Sequence, residues 1–296
     1  KIFEQLNSRT KFEDIDPSYG VQERFATPLW PVLRSIDYMA SRAYDELFMP
    51  FVFYEDFTGY HFKSMTTLFN QGNQSMTAEE KQEASAEKKF FRDPQDAPLM
   101  QDNNFNSERF MRTIIKAEKK LARDQYMANY RDILAVNERV YDFSTKSTTA
   151  TQRIYSEWFD STAHLDPFPL FSDQFDRENV RYIEAQPDGA EQIDYARRVI
   201  EFSLASTVMR LLVVGDNRLN VGQVYYIEDL SNRPKSNENI AELSKLSTGH
   251  YIVTKIRHKI SRLTNDYQCV AEIAKDSMIQ KVLPPQTGQT VASTPT

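Results

Sequence analysis

The four histidines are the first residues to consider for chemistry, because imidazole is a common metal ligand and titrates near neutral pH. They are His61, His164, His250 and His258. If His250 and His258 lie on one extended strand, they are roughly 26 Å apart, whereas the ligands of a zinc ion lie about 2 Å from it. These two side chains are therefore expected not to share a metal. We interpret His61 and His258 as packed or hydrogen-bonded histidines.

Paired carboxylates are the second candidate chemistry, because two of them flanking a glycosidic bond suffice for glycoside hydrolysis. The chain has 42 acidic residues. Four of these lie close in sequence to aromatic residues that could stack on sugars: Glu55, Asp56, Glu157 and Asp160. An accidental pair is expected among so many acids, so a glycan hydrolase is kept as an alternative interpretation.

Motifs for nucleotide binding and for a serine nucleophile are missing from the sequence. Neither GxxxxGK[ST] nor GxGxxG occurs, and the segment from Gly215 to Gly222 lacks the Lys-Ser/Thr ending of a phosphate-binding loop. No GxSxG elbow is present. The sequence therefore predicts no catalytic residue, no metal site and no cofactor, and a protein that is not an enzyme.

The overall charge argues against nucleic acid as a stable partner. The 296 residues carry a formal net charge of −6, whereas a protein that coats DNA needs a basic surface. One basic run alternates with Glu118 and is interpreted as a solvated face. This run comprises Lys116, Lys119, Lys120 and Arg123. Protein partners are therefore expected.

The rest of the composition indicates a soluble protein assembled in a reducing compartment. The single cysteine, Cys269, can form no disulfide within the chain and is interpreted as a small core residue. No apolar run approaches the about 20 residues that span a bilayer, and no signal peptide begins at Lys1. Because the chain starts with Lys instead of Met, we expect that an N-terminal part is missing or has been processed.

A helix followed by a hairpin is predicted near the start of the chain. Thr27 is a good N-cap and Pro28 suits the first helical position, after which apolar residues recur at helical spacing to about Tyr44. Aromatic and β-branched runs at 51–55 and 60–65 flank a short turn that contains glycine. This pattern indicates a β-hairpin.

The middle of the chain alternates polar and structured stretches. Residues 71–106 are too polar to bury themselves and are expected to form a surface excursion with a short helix near 77–90. Between 107 and 160 the β-branched and aromatic content rises, and the Thr-rich stretch is predicted to be extended as far as Trp158.

The last third of the sequence is predicted to form one helix and four strands. Apolar residues on one face favour a helix at about 189–206, followed by strands at 207–214 and 219–227. A hairpin is predicted from strands at 251–260 and 267–274.

Strict alternation predicts two faces for the strand at 251–260. One face would carry Ile252, Thr254, Ile256, His258 and Ile260. The opposite face would carry Tyr251, Val253, Lys255, Arg257 and Lys259. The Pro/Thr/Gln-rich tail that follows Lys281 is expected to be flexible or bound to a neighbour.

Three of these segments resemble the baseplate central hub proteins of contractile-tailed, T-even-like bacteriophages. Residues 249–261 and their return strand are similar to the closing hairpin of that family. Residues 215–224, Gly-Asp-Asn-Arg-Leu-Asn-Val-Gly-Gln-Val, look like its lead into a barrel strand. The helix at 28–44 and the hairpin motif FxFxxDxxG at 51–59 occur in the family's order.

The resemblance implies an α+β, β-rich fold, in which a tube-type antiparallel β-barrel forms from discontinuous segments and a helical, loop-rich accessory domain adjoins it. The implied organisation is an irregular lead-in at 1–26, the accessory domain at 27–106, the barrel at 107–160 and 204–278, a loop and helix insertion at 161–203, and a flexible tail at 279–296. In the family a first barrel precedes the helix, but only 26 residues precede it here. Either that barrel is missing from the chain or the ring closes differently.

The function implied by the resemblance is structural. A homotrimer would form a ring that joins the tail tube to the central spike, contacts neighbouring baseplate wedge proteins and lets DNA pass, without stable membrane association. The protein would then reside in the tail baseplate of the virion after assembly in the bacterial cytoplasm. The subunit interface is predicted at Tyr251, Val253, Lys255, Arg257, Phe53 and Tyr60. A cell-wall glycan hydrolase of the baseplate and a receptor-binding module remain the alternatives.

Overall fold

A computed structural model describes most of the chain. The described residues are 12–19, 29–57, 59–72, 89–90, 114–121, 124–172, 179–185, 190–227, 247–263 and 266–281. The predicted polar excursion at 71–106, apart from residues 71–72 and 89–90, lies outside these ranges. The tail after Lys281 also lies outside them, as do Thr27 and Pro28.

The described residues form a β-rich fold with few helices. The strands are β1 (Phe12–Ile15), β2 (Phe51–Glu55), β3 (Tyr60–Ser64), β4 (Lys89–Phe90), β5 (Ile114–Leu121), β6 (Ala135–Asp142), β7 (Ser147–Ile154), β8 (Phe168–Pro169), β9 (Asn179–Glu184), β10 (Thr207–Val214), β11 (Val224–Ile227), β12 (Gly249–Ser261), β13 (Asp266–Ala274) and β14 (Ser277–Met278). The α-helices are α1 (Val32–Ala40), α2 (Met65–Phe69), α3 (Gln125–Tyr130), α4 (Tyr155–Ser161) and α5 (Asp194–Ser206).

The largest element is a curled six-stranded sheet with the shape of a half-barrel. Its order is β4-β11-β12-β13-β10-β5, and every pairing is antiparallel except the short one between β4 and β11. Strands from both predicted barrel segments therefore meet in one sheet. Within the described residues the sheet is open, with β4 and β5 at its edges.

Strands β6 and β7 were expected in the barrel, but they pair with each other and with β9 in a separate sheet of order β7-β6-β9. The physical reason is visible in β7, which is rich in threonine and exposes most of its side chains. A barrel wall needs an apolar face on every strand, and this strand has none. The predicted extended run to Trp158 is also wrong beyond Ile154, because α4 begins at Tyr155 and buries Tyr155 and Phe159 on one side.

The predicted helix and hairpin near the start of the chain are confirmed with shorter bounds. Helix α1 ends at Ala40 rather than Tyr44, and Pro31 takes the N-cap position. Strands β2 and β3 form the predicted antiparallel hairpin, with the Gly59 N–H donating to Asp56 Oδ1 over 3.1 Å in the turn.

The predicted helix before the last strands is confirmed as α5, and it links two parts of the core. Tyr195 and Val199 of α5 pack with buried residues of α3, α4 and β6. Ile200, on the same helix, packs with α2, β11 and β12. A third buried group lies on one face of the six-stranded sheet. No helix among the described residues is both long and apolar enough to cross a membrane.

The hairpin of β12 and β13 is confirmed, but the predicted division of β12 into two faces is wrong. The register shifts between Val253 and Lys255, so Thr254 forms a β-bulge. Tyr251 and Val253 are buried, with 0% and 1% exposure, whereas Lys255 is exposed. A bulge adds one residue to one strand and therefore reverses the side to which all later side chains point.

We expect Gly222→Ala to destabilise the turn before β11 by roughly 1–2 kcal/mol. Gly222 has φ +82°, and an added Cβ would lie 2.7 Å from the Tyr54 hydroxyl oxygen. Thermal unfolding of the variant measures the change. An added Cβ would also lie 2.8 Å from Tyr54 Cζ, so the steric contact is removed only by Tyr54→Ala. If Gly222→Ala causes no further loss of stability in a chain that already carries Tyr54→Ala, a backbone contribution is contradicted.

Candidate functional site

Two histidine–aspartate pairs meet where the segment after α4 crosses the C-terminal end of β13. His164 Nδ1 lies 2.6 Å from Asp276 Oδ2, and His250 Nδ1 lies 2.7 Å from Asp166 Oδ1. His250 is on β12, next to the end of β11. The four side chains come from three separate stretches of sequence, so their proximity is a product of the fold.

The imidazole of His164 is buried among aromatic rings. The Phe159 ring stacks on it at 3.7 Å between centroids, and Trp158 makes an edge contact at 5.1 Å. Its Nε2 lies 2.8 Å from Thr162 Oγ1, whose hydroxyl also donates to the Trp158 carbonyl over 2.9 Å.

Both aspartates accept further hydrogen bonds that anchor the crossing segment. Asp276 Oδ1 accepts from the Leu165 N–H and from the Ser277 hydroxyl. Asp166 Oδ2 accepts from the His250 N–H over 3.0 Å. Glycine is required at position 249, because a Cβ there would lie 2.3 Å from Asp166 Oδ2. The carboxylates therefore fasten the loop 162–166 to the six-stranded sheet.

Lys275 completes this cluster and is fully buried. Its Nζ donates to the Thr248 carbonyl over 3.0 Å. Burial lowers the pKa of Lys275 to about 8, although Asp166 and Asp276 act in the opposite direction. No pattern in the sequence predicts this cluster, because the spacing of Lys275 and Asp276 at the end of a strand gives no indication of Asp166 or His164.

A cavity of about 490 Å³ opens beside the cluster. It is lined by Phe159, Asp160, Thr162, His164, Leu165, Asp166, Pro167, His250 and Ile279. The side chains of Thr162, His164 and Asp276 are hydrogen-bonded in the same order as the hydroxyl, imidazole and carboxylate of a hydrolase triad. The Thr162 hydroxyl, however, donates its hydrogen to the Trp158 carbonyl, so this arrangement serves as a cross-link rather than as an activated nucleophile.

The structure separates the four carboxylates that sequence analysis proposed for glycan chemistry into different environments. Asp160 lines the cavity, and Glu157 lies exposed on the first turn of α4. Asp56 pairs with His61 Nε2 at 2.9 Å, and Glu55 lies across the hairpin from Tyr60. Among the described residues, no group of three or more His, Cys, Asp or Glu side chains could hold a metal ion.

The packed interpretation of His258 and Cys269 is confirmed. Cys269 is fully buried, and its Sγ lies 3.2 Å from His258 Nδ1. The same nitrogen is 2.8 Å from the Tyr267 hydroxyl, and the Phe57 ring lies 4.6 Å from the imidazole. Burial lowers the pKa of His258, which favours the neutral ring.

The outer side of the six-stranded sheet carries a second candidate site, which we call the charged face. We define it by the following alternate residues of β5, β10, β13 and β12: Lys116, Glu118, Arg210, Leu212, Val214, Gln268, Val270, Glu272, Lys255, Arg257 and Lys259. Glu272 accepts from Lys255 over 2.9 Å and lies 3.8 Å from Arg210. Five cations and two carboxylates leave a net +3 on this face, whereas the whole chain carries −6.

Of the residues predicted at a subunit interface, the structure leaves some accessible and buries others. Lys255 and Arg257 lie exposed on the charged face. Phe53 and Tyr60 stack at 5.6 Å on the hairpin of β2 and β3 and are half-buried. Tyr251 and Val253 lie in the core beneath the charged face.

Comparison with known proteins identifies no family. No protein-family model matches the sequence, and no curated protein matches it. Among solved structures, the chain is similar to the tail protein from Neisseria meningitidis MC58, with a TM-score of 0.32 and 9% identity over 55% of this chain and 40% of that chain. It is also similar to the 43 kDa tail protein of prophage MuSo2 from Shewanella oneidensis, with a TM-score of 0.35 and 9% identity over 76% of this chain and 51% of that chain. The chain thus spans about half or less of the length of these two proteins.

Proposed function

We propose that the chain is a non-enzymatic structural subunit of a phage tail, a component of the central baseplate hub that assembles into a ring of three copies. The ring would join the tail tube to the central spike, contact wedge proteins and let DNA pass during injection. In this role the protein would lie in the baseplate of the virion. The sequence resemblance supports the proposal, because its closing hairpin and its helix followed by a hairpin are formed in the structure.

The observation that carries the proposal is the charged face. The residues of this face carry a net +3, whereas the chain as a whole carries −6, so a positively charged surface is present on a chain that has an excess of acidic residues. Such polarity suits head-to-tail contacts between identical copies, which close into a ring when the rotation permits. Val270 and Leu212 lie half-buried in the middle of the face and give it an apolar centre.

The open edge of the sheet supports the same assembly. Strand β5 is an eight-residue edge next to the charged face, and β10 alone pairs with it among the described residues. Unpaired strand edges invite uncontrolled association unless they are covered. A neighbouring copy seated on the charged face would cover this edge.

We expect the purified chain to form a trimer, a particle of three times 34.5 kDa. The double variant Arg257→Glu with Lys255→Glu should be a monomer, because both charge reversals place like charges against an acidic neighbour. Light scattering measures the mass. Lys146 and Lys281 are exposed and lie outside the charged face, so the double variant Lys146→Glu with Lys281→Glu has the same change of charge and is the control. A wild-type chain that stays monomeric at high micromolar concentration would contradict the ring, and a trimer that survives the double reversal would contradict the charged face as its contact.

A further inference from the structure

A polar cleft lies along the edge of the three-stranded sheet β7-β6-β9. It has a volume of about 380 Å³ and is bordered by β9, by the start of α5 with the turn before it, and by the residues that follow α1. Of the described residues that line the cleft, only Ile183 is wholly apolar. A pocket of this size can hold a small ligand, and its lining favours a ligand with many hydroxyl groups.

Tyr182 of β9 places an exposed aromatic ring at the rim of this cleft. The residue is 73% exposed, and the guanidinium carbon of Arg139 lies 5.8 Å from the centroid of its ring. A tyrosine ring is a flat apolar surface with a polar end. The C–H groups on the face of a pyranose can stack on such a surface, while the hydroxyls at the edge of the sugar remain available for hydrogen bonds.

The strand register extends this aromatic surface across the outer side of the sheet. Arg139 of β6 lies opposite Tyr182 on one side and opposite Ala150 of β7 on the other, and directly opposite residues of neighbouring strands share one face. We call this surface the tyrosine face and define it by five exposed residues: Val180, Tyr182, Arg139, Ala150 and Gln152. The guanidinium of Arg139 and the amide of Gln152 are planar groups with several donors, which suits neighbouring hydroxyls of a sugar.

The balance of charge argues against a nucleic acid or another polyanion as the ligand. Among the described residues, the cleft and the tyrosine face together carry three cations and three carboxylates: Arg42, Arg139, Arg181, Glu184, Glu191 and Asp194. Polyanion binding needs an excess of cations. Arg181 pairs with Asp194 at 3.1 Å, but a carboxylate has about four lone-pair sites. Such a group can keep its ion pair and also accept a hydrogen bond from a sugar hydroxyl.

The extent of the tyrosine face argues against a stable protein partner. Neighbouring strands lie about 4.8 Å apart and alternate residues of a strand about 6.7 Å apart, so three strands and two rows of residues cover roughly 200 Å². A stable protein–protein interface buries about 800 Å² on each partner. A short oligosaccharide, in contrast, needs only a strip of surface with one stacking ring and a few polar groups.

We propose that the cleft and the tyrosine face form a binding site for a neutral oligosaccharide. One sugar ring would stack on Tyr182, with its hydroxyls hydrogen-bonded to Glu184, Glu191 and Arg42 in the cleft. The sugar chain would continue over Arg139 towards β7. This inference is independent of the proposed ring, because the site and the charged face involve different strands.

Isothermal titration calorimetry of the purified chain with cellotetraose, chitotetraose and maltotetraose tests the proposal. At least one of these neutral probes is expected to bind, and its affinity should change less than about twofold between about 50 mM and 200 mM salt, because no counterions are released. Tyr182→Ala should lower this affinity about tenfold, because the stacking surface is lost. Tyr182→Phe keeps the ring and should retain the affinity within about threefold.

Tyr126→Ala is the matched control, because Tyr126 lies on α3, is 72% exposed and does not line the cleft. This variant should bind the probe as the unaltered chain does. Binding of none of the three probes would overturn the proposal, and so would an equal loss of affinity in both alanine variants. Salt-sensitive binding of heparin in place of the neutral probes would overturn it in favour of a polyanion. A change in the mass of the purified chain on Tyr182→Ala, measured by light scattering, would overturn it in favour of a protein contact.

Discussion

Replacing Asp276 by alanine is expected to lower the free energy of unfolding by about 3–5 kcal/mol. The carboxylate is 2% exposed and accepts from His164, from the Leu165 N–H and from Ser277. Its removal leaves these three donors without their acceptor at a position where the carboxylate itself is buried. In thermal denaturation the loss corresponds to a fall in Tm of roughly 10 °C.

Asp160→Ala is the matched control for this substitution. Asp160 borders the same cavity but is exposed, so its loss is expected to change stability by less than about 0.5 kcal/mol. A loss of similar size in both variants would show that the cavity, rather than the buried hydrogen bonds of Asp276, sets the stability of this region.

The second large effect concerns pH and comes from Lys275. Its folded-state pKa is lowered to about 8, against an ordinary value of 10.5. Below pH 8 the amine is protonated in both the folded and the unfolded chain. The buried charge then lowers the stability of the folded state. Between these two values the unfolded chain binds the proton that the folded chain has released. The free energy of unfolding should therefore rise with pH through this window, by roughly 2–3 kcal/mol in total.

Urea denaturation from pH 7 to about pH 9.5 measures this rise before tyrosines begin to titrate. Burial raises the pKa of Tyr267 to about 12, so above pH 10 the unfolded chain loses this proton first and stability should fall again. Lys275→Met keeps the length of the side chain without its charge. In this variant the free energy of unfolding should rise with pH by roughly 2–3 kcal/mol less than in the unaltered chain. Identical pH profiles of the two proteins would contradict the buried amine as the cause of the rise.

Local patterns in the sequence correctly predicted those elements whose formation depends on the pattern within the element itself. The aromatic hairpin of β2 and β3 and the hairpin of β12 and β13 both follow from alternation and turn residues, and both are formed. Helix α5 follows from its apolar spacing. These elements depend on contacts between residues that are near one another in the chain.

The errors arose where distant contacts decide the outcome. Neither Thr254 nor its neighbours in the sequence indicate a β-bulge, so one alternating pattern was assumed along the whole of β12. Tyr251 was therefore predicted on the same face as Lys255, whereas it is buried. Strand β6 pairs with β9 in parallel, a contact across about 40 residues of chain that strand propensity does not encode. The interaction of His164 with Asp276 spans 112 residues, and no local spacing could indicate it.

The bulge at Thr254 divides a single strand into two stretches with different tolerance to substitution. Up to Val253 the side chains fill the interior of their own subunit, so replacements there are limited by volume. Beyond the bulge, Lys255, Arg257 and Lys259 project outward, and changes in their sign leave the interior intact. Substitutions in the outer stretch can therefore change the charge of the sheet's outer surface while the packing beneath it stays the same.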